Sequence, residues 1–303
     1  MEHVQASPAA QQEPVRGYLY YRHTGPVRIM HWINVIALTI LLMSGLNIFN
    51  AHPALYWGKS SYNGKPPIVE MRSEDDPDGD PAAGVTRVFG HAFDTTGFLG
   101  ASENSEGDLV ARGFPSWLTI PSEQWLSMAR RWHFFFAWIL VINGLCYIGY
   151  SIASRHLSRD LTPRQPELRT IRQSFVDHLK FKHPTGEASR HYNVLQKLTY
   201  LLVIFVLLPL TILMGLGMSP GLDTAITGWV DLFGGRQSAR TIHFIAAWLI
   251  VAFVLVHVFE VIVSGLWNNL RSMITGRYQV TTPVTRPVTA RAAPSDVRTK
   301  ENP

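Results

Sequence analysis

Four apolar blocks constrain the fold of this chain more than any other feature of its sequence. The blocks span 21 to 23 residues each and cover approximately residues 29–49, 132–152, 198–218 and 243–265. Together they contain no Lys, Arg or Asp, and Glu260 is their one acidic residue. About 20 mostly apolar residues are needed for a helix to cross a bilayer, where backbone groups must be satisfied internally. The sequence therefore predicts an all-α integral membrane protein built as a four-helix bundle.

The positions of Lys and Arg predict how the bundle is oriented. Basic residues precede the first block, fill the segment between the second and third blocks, and follow the fourth, whereas the segment after the first block is acidic. Cytoplasmic loops of membrane proteins carry an excess of Lys and Arg. We therefore expect a multi-pass protein of the bacterial inner membrane with both termini in the cytoplasm.

This orientation divides the chain into segments with separate expected roles. Residues 1–28 would be a cytoplasmic N-terminal segment and 29–278 the four-span domain. Within it, 50–124 would be a long extracytoplasmic (periplasmic) loop and 153–190 a cytoplasmic loop. Residues 279–303, rich in Thr, Pro and Arg without an apolar period, would be a disordered cytoplasmic tail.

Composition excludes several classes of protein. The single cysteine, Cys146, excludes an intramolecular disulfide, a covalent CxxCH haem attachment and a cysteine-held iron–sulfur cluster. Only 16% of the residues are charged, which is low for a soluble domain. The net charge of +5 lies beside the apolar blocks, so anionic membrane lipid is a better explanation for it than nucleic acid.

Histidines inside the predicted spans are the candidate functional residues. Four of the twelve histidines, His31, His133, His243 and His257, lie within or at the ends of spans. Ionisable groups in a bilayer are costly and usually functional. His243 and His257 are 14 residues apart on one span, which gives about 21 Å of rise and places both rings within about 40° of one helix face. The predicted topology brings His31 level with His257 and His133 level with His243.

Two pairs of histidines at different depths suit two haem b groups. Zinc sites use three or four protein ligands, and neither pair has a third. Two neutral imidazoles on opposite helices fit the axial positions of a haem iron. A proton relay or a packing role is the alternative, although it would not explain two depth-matched pairs.

Residues around these histidines support the haem interpretation. Haem propionates are anionic, and four arginines stand close to the histidines along the chain: Arg28, Arg130, Arg131 and Arg240. Glycines in the spans could let a macrocycle approach the backbone, although helix packing explains them nearly as well. These glycines are Gly45, Gly144, Gly149, Gly215 and Gly217.

The set of motifs resembles the dihaem cytochrome b subunits of Ni,Fe-hydrogenases and formate dehydrogenases. It consists of Arg28-Ile-Met-His31-Trp32 and Ser44-Gly45-Leu46 in the first span, Trp132-His133 in the second, Tyr192-Asn193-Val-Leu-Gln196-Lys197 before the third, and Ala239-Arg240-Thr-Ile-His243 with His257-Val-Phe in the fourth. The resemblance implies that the four histidines are haem ligands. It also implies that the subunit anchors a peripheral oxidoreductase and exchanges electrons with membrane quinone.

The resemblance also suggests where quinone and a partner would bind. The quinone pocket of that family lies by the cytoplasmic haem, and Asn193, Gln196 and Lys197 are on that side, where they could equally be an interfacial helix start. The partner would be a periplasmic molybdenum-cofactor enzyme or a hydrogenase. The first loop is longer than in formate dehydrogenase subunits, so it leaves the partner's identity open.

Other functions remain as alternatives. A quinone-linked haem oxidoreductase that works without partner subunits, such as a superoxide oxidase, uses a similar bundle. A haem-free anchor or transporter is a second alternative. If the chain is a dihaem cytochrome subunit, it would be an electron-transfer subunit rather than a catalytic subunit.

Overall fold

Four long helices cover the four apolar blocks. The structure is a computed structural model that describes residues 15–61, 64–180 and 192–283. The helices long and apolar enough to cross a membrane are α1 (Gly25–Asn50), α2 (Leu126–Ala153), the third span (Val194–Gly217) and α8 (Arg236–Val263). Each begins four to seven residues before its apolar block, because the helix continues into a polar first turn.

The helices pack as two antiparallel pairs joined through an apolar core. Asn143 of α2 donates to the backbone carbonyl of Met30 (2.8 Å) and to Oδ1 of Asn34 (2.7 Å), both on α1. The third span packs on α8, where Gly217 lies against Ala239. Val203, Leu207 and Ile250 form a buried cluster with Leu38 against it, which joins the two pairs.

The outward faces of the bundle are apolar. Ile36, Phe135, Leu145, Leu255 and Val256 each expose between 56 and 66% of their surface. A soluble monomer rarely leaves so much contiguous apolar area in water, whereas lipid tails would cover it. The prediction of a membrane protein with four spans is therefore confirmed.

The third span is a helix with a widened turn in its middle. It consists of α5 (Val194–Leu202), a π-helical turn (Val203–Leu207) and α6 (Leu208–Gly217). Pro209 has no N–H to donate to the preceding turn, so the ladder cannot continue regularly through this point. The sequence alone suggested one regular span here.

The segment between α1 and α2 contains sheet, so the all-α prediction is wrong in this part of the chain. It holds six strands and a short 3₁₀ turn (Ser116–Leu118), which we call the β-domain. The strands are β2 (Ala54–Leu55), β3 (Val69–Asp75), β4 (Pro81–Val88), β5 (His91–Asp94), β6 (Gly100–Glu103) and β7 (Leu109–Arg112). Strands β2 to β5 form one antiparallel sheet in chain order, and β6 pairs with β7.

Acidic residues and glycines in this segment form tight turns between strands. Asp76 Oδ1 accepts hydrogen bonds from the backbone N–H groups of Asp78 (3.0 Å) and Asp80 (2.9 Å) in the β3–β4 turn. Asn104 Oδ1 accepts from Glu106 and Asp108 in the same way in the β6–β7 turn. Short Asp and Asn side chains stabilise turns by such bonds to their own backbone. The acidic residues and glycines that suggested a loop therefore form the turns between paired strands.

The β-domain is fixed to the ends of α1 and α8. Asn50 donates to the carbonyl of Phe114 (3.0 Å) and accepts from its N–H (2.7 Å). Thr241 donates to the carbonyl of Tyr56 (2.8 Å). Phe49 and Phe114 also share a buried apolar cluster. We call this end of the bundle the β-domain side.

The opposite end of the bundle carries a two-stranded ribbon formed by distant parts of the chain. Strand β1 (Val15–Tyr21) pairs antiparallel with β8 (Arg277–Pro283) in a register that runs from Val15 opposite Pro283 to Tyr21 opposite Arg277. We call β1 and β8 the terminal ribbon, and this end the ribbon side. Strand β8 includes residues 279–283, which we expected to be unstructured, and residues 284–303 lie outside the described residues.

Short helices complete the structure near the bundle ends. They are α3 (Gln165–Leu168), α4 (Ile171–Leu179), α7 (Pro220–Ala225) and α9 (Leu266–Thr275), with a π-helical turn at Leu157–Leu161 and a 3₁₀ turn at Trp229–Phe233. Helix α9 follows α8 directly and packs beside the ribbon. The predicted loop 153–190 is partly helical, and its residues 181–190 lie outside the described residues.

Candidate functional site

The four histidines of the spans meet as two pairs. His31 of α1 lies beside His257 of α8, with ring centroids 6.4 Å apart. His133 of α2 lies beside His243 of α8, with ring centroids 6.2 Å apart. The first pair is on the ribbon side and the second on the β-domain side. The structure thus brings together the same residues that the spacing on the fourth span had grouped.

The separation within each pair fits one metal ion between two imidazoles. A metal–imidazole bond is about 2.0–2.1 Å long, and with roughly 1.1 Å from nitrogen to ring centroid, two opposed rings would have centroids roughly 6.3 Å apart. Both observed separations lie close to that value. No group of three or more His, Cys, Asp or Glu side chains with metal-ligand geometry occurs among the described residues. Two ligands per metal, with other positions filled by a macrocycle, is therefore the arrangement that the residues fit.

Backbone carbonyls orient the β-domain-side pair. His133 Nδ1 lies 3.1 Å from the carbonyl oxygen of Leu41 and 3.1 Å from Ser44 Oγ. His243 Nδ1 lies 2.8 Å from the carbonyl oxygen of Thr211. A carbonyl oxygen only accepts, so Nδ1 carries the proton in each ring and Nε2 keeps its lone pair. Metal-bound histidines are commonly fixed in this way.

Two glycines make room for these rings. A Cβ on Gly45 would lie 3.2 Å from Cε1 of His133, and a Cβ on Gly215 would lie 3.4 Å from Cε1 of His243. Each glycine stands four residues after the carbonyl that holds the ring, at Leu41 and Thr211. The first and third spans therefore support the two histidines with the same local arrangement. The glycines can be read from the sequence, whereas the two carbonyls cannot be singled out there because every residue carries one.

The ribbon-side pair is oriented by aromatic packing instead. Trp32 stands edge-on to His31, with centroids 5.4 Å apart, and Phe253 stacks on His257 at 5.8 Å. The Nδ1 atom of His31 is buried and has no hydrogen-bond partner within the described part of the chain. A buried unpaired ring nitrogen is costly, so its presence favours a ligand at this pair.

The four arginines expected near haem propionates have different surroundings. Arg28 donates to the carbonyl of Ile274 on α9, and Arg240 donates to the carbonyl of His52 and lies over the ring of Phe49. Arg130 and Arg131 are exposed on α2, and Arg130 lies over the ring of Phe134. Each arginine is within four residues of a paired histidine along its helix.

The residues expected near quinone stand at the start of the third span. Asn193 caps α5 by accepting from the N–H of Leu195, while Gln196 accepts from the N–H of Asn193. Lys197 is buried and donates to both carboxylate oxygens of Glu167 at 2.9 Å. These contacts agree with the alternative in which the segment is an interfacial helix start.

Comparison with known proteins identifies the family. The profile of the family described as prokaryotic cytochrome b561 matches residues 22–276, which is most of the chain. The chain belongs to the prokaryotic cytochrome b561 family. This membership identifies it as a membrane haem protein of the b561 type and implies haem b as its cofactor.

Two curated proteins are similar along most of their length. A putative protein-methionine-sulfoxide reductase subunit, YedZ1, of Azospira oryzae is 29% identical over 258 residues, which is 85% of this chain and 98% of the relative. A probable Ni/Fe-hydrogenase B-type cytochrome subunit of Cupriavidus necator is 23% identical over 269 residues, covering 84% and 85%. No solved structure matches this cytochrome. Both relatives are named as subunits, one of a reductase and the other of a hydrogenase.

Proposed function

We propose that this cytochrome carries two haem b groups and transfers electrons between an extracytoplasmic oxidoreductase partner and membrane quinone. His31 and His257 would hold one haem, and His133 and His243 the other. Each haem, when bound, supplies a reversible one-electron change at its iron. The observation that supports this proposal most directly is the presence of two opposed histidine pairs on the two sides of one bundle.

Helix α8 carries one histidine of each pair, so it determines how far apart the two proposed haems would lie. His243 and His257 are 14 residues apart, so the two pairs differ in depth by about 21 Å along the helix. In a hydrocarbon core about 30 Å thick, the His31–His257 pair would lie near the ribbon side and the His133–His243 pair near the β-domain side. The protein contributes ring orientation and a dry apolar surrounding, which tune the potential of a bound haem.

The orientation of the cytochrome follows from its charges. Basic residues flank the ribbon side, at Arg155, Arg159, Arg271 and Arg277, and the β-domain is acidic. By the positive-inside rule, the ribbon side faces the cytoplasm and the β-domain faces the periplasm of a bacterial inner membrane. Both termini would then be cytoplasmic.

The β-domain is suited to hold a bound partner protein close to the His133–His243 pair. It is bonded to α1 and α8 rather than tethered, and Arg240, three residues before His243, donates to the carbonyl of His52 within it. A docked oxidoreductase would therefore keep a constant distance to that pair. The names of the relatives favour a reductase or a hydrogenase as the partner, and a molybdenum-cofactor enzyme remains within this proposal.

Spectroscopy of the purified protein tests the haem assignment. We expect a b-type spectrum with two haems per chain that is reduced by dithionite. His133→Ala and His243→Ala should each lose the same haem, whereas His31→Ala and His257→Ala should each lose the other. His91→Ala, which changes an exposed histidine of β5, is the matched control and should retain both. Retention of both haems in His243→Ala would refute the pairing.

A second experiment separates a subunit from a stand-alone enzyme. We expect the complex extracted from native membranes with mild detergent to contain a second, oxidoreductase chain. Rapid turnover of quinol by the isolated cytochrome alone, without a partner, would instead support the superoxide oxidase-like alternative.

A further inference from the structure

A partly buried tyrosine–histidine pair lies on the ribbon side and has no part in the haem proposal. The hydroxyl of Tyr192, just before the third span, lies 3.5 Å from Nδ1 of His23, just before α1. Arg22 lies over the ring of Tyr192 (5.5 Å) and over that of Tyr278 in β8 (4.7 Å). The backbone N–H of Arg22 donates to the carbonyl of Gly276 at 2.8 Å. Three distant parts of the chain therefore hold this pair in place.

A row of rings connects the pair to the ribbon-side histidines. The centroid distances are 5.6 Å from Tyr192 to Tyr200, 6.3 Å from Tyr200 to Phe253 and 5.8 Å from Phe253 to His257. The tyrosine–histidine pair is thus a few side chains away from the haem that His31 and His257 would hold. It lies beside the segment 193–197, for which the family resemblance implies a role in quinone binding that stays a prediction.

The surroundings keep both partners neutral. Burial, with a smaller contribution from the nearby Arg22 charge, lowers the pKa of His23 to about 4. Burial raises the pKa of Tyr192 above its ordinary value. A neutral phenol donates a hydrogen bond and a neutral imidazole accepts one. The 3.5 Å separation is long, as donor–acceptor pairs often are before substrate binds.

Other titratable and charged groups surround the pair. His23 is influenced by Arg22, Arg28, His31 and His156, and Tyr192 by Arg22, Tyr147, Asp160 and Tyr200. His156 and Asp160 are bonded at 2.7 Å, and their side chains are 17% and 30% exposed. This second pair is partly exposed, so it offers a route for protons from the tyrosine–histidine pair to the surface on the same side.

We propose that Tyr192 and His23 exchange protons with quinone, which rests on the proposed electron transfer to membrane quinone. When a quinol is oxidised, its two O–H bonds break and its two electrons would pass one at a time to the one-electron acceptor that His31 and His257 would hold under the proposed function. Each proton moves to the Tyr192 oxygen as the tyrosine's own proton moves to His23 Nδ1, and His23 then releases a proton towards His156, Asp160 and water. Reduction of a quinone runs the same exchange in reverse and takes up two electrons and two protons.

Rapid mixing of the purified full-length cytochrome with a quinol tests this exchange. Ubiquinol-1 and menadiol would be the reductants, and haem absorbance the signal. Removing a general acid–base group commonly slows a reaction by about 10²-fold or more, so Tyr192→Phe and His23→Gln should be slower by that order. Tyr150→Phe is the matched control, because its hydroxyl donates to Thr24 (2.9 Å) on the same side but outside the pair. It should reduce at the wild-type rate.

Further readouts distinguish proton exchange from a structural role. The wild type should be slower in D₂O than in H₂O, and this isotope effect should change in Tyr192→Phe. The quinone-site inhibitor 2-heptyl-4-hydroxyquinoline N-oxide, followed by fluorescence quenching, should bind about fivefold more weakly to Tyr192→Phe, as expected for one lost hydrogen bond.

The possible failures are separable. If neither quinol reduces the wild type, the proposed quinone function is wrong. If the wild type is reduced and both variants match its rate and isotope effect, only the Tyr192–His23 proposal is wrong. A loss of the haem spectrum in Tyr192→Phe would also overturn it, because the hydroxyl would then be needed to hold the fold.

Discussion

The substitution Gly45→Ala tests how tightly the first span holds the His133 ring. The new Cβ would lie 3.2 Å from Cε1 of His133, closer than the ordinary carbon–carbon contact of about 3.5–4.0 Å. The ring cannot simply turn away, because its Nδ1 is bonded to the carbonyl of Leu41 and lies near Ser44 Oγ. The ring must therefore shift by a few tenths of an ångström against its anchor.

The expected cost is small but specific to the haem proposed for the His133–His243 pair. A side chain pushed off its rotamer loses about 0.5–1.5 kcal/mol. Since 1.4 kcal/mol is tenfold in an equilibrium constant, haem retention at the His133–His243 pair should fall by about two- to tenfold. Alanine is also about 0.8–1.0 kcal/mol more favourable than glycine inside a helix, so the bundle itself should not become less stable.

The assay compares haem loss with helix stability. Haem transfer to an excess of apomyoglobin gives the rate of loss from each site, and circular dichroism gives the thermal unfolding midpoint. Gly144→Ala is the matched control, because a Cβ there has nothing within 4 Å. It should leave haem transfer unchanged. Equal haem transfer from Gly45→Ala and Gly144→Ala would refute the argument that the glycine makes room for the ligand ring.

Two further predictions concern polar contacts between elements. Glu167→Gln leaves the buried Lys197 without its carboxylate, so the thermal midpoint at pH 7 should fall. The hydrogen bond from Lys197 lowers the pKa of Glu167. The stabilisation is therefore fully present above the ordinary carboxyl pKa and is lost as pH falls through the lowered pKa. A higher thermal midpoint of the wild type that persists in strong acid would contradict this prediction. Asn143→Leu removes the bonds to Met30 and Asn34, each worth about 0.6–1.7 kcal/mol in a membrane protein, and should speed transfer of the haem at His31 selectively. Equal acceleration at both haems would show that Asn143 supports the bundle as a whole.

The helices and the histidine pairs were predictable because their signals are local. A block of 21 apolar residues identifies a span, and a spacing of 14 residues on one helix places His243 and His257 on one face. The antiparallel order of the spans then determines which histidine stands opposite each of them. The backbone anchors at Leu41 and Thr211 were not predictable, because every residue carries a carbonyl.

The β structure was not predictable from the same kind of pattern. Strands such as β5 and β6 are four residues long and are separated by Asp, Asn and Gly turns, which gives little alternation to detect. The partners in the terminal ribbon, such as Val15 and Pro283, are more than 250 residues apart, and nothing local marks such a pairing. The roles of the arginines and of Asn193, Gln196 and Lys197 stay predictions, because they depend on ligands rather than on the chain.

The terminal ribbon has a consequence for how the chain is made. During synthesis β1 leaves the ribosome before any span, whereas β8 leaves after the last one. The seven residues of β1 therefore stay without their β8 partner until nearly all of the spans have been made. Pairing of β1 with β8 would therefore mark completed assembly. A truncated chain that ends before residue 277 would keep β1 unpaired, and its open edge would be available to quality-control proteases.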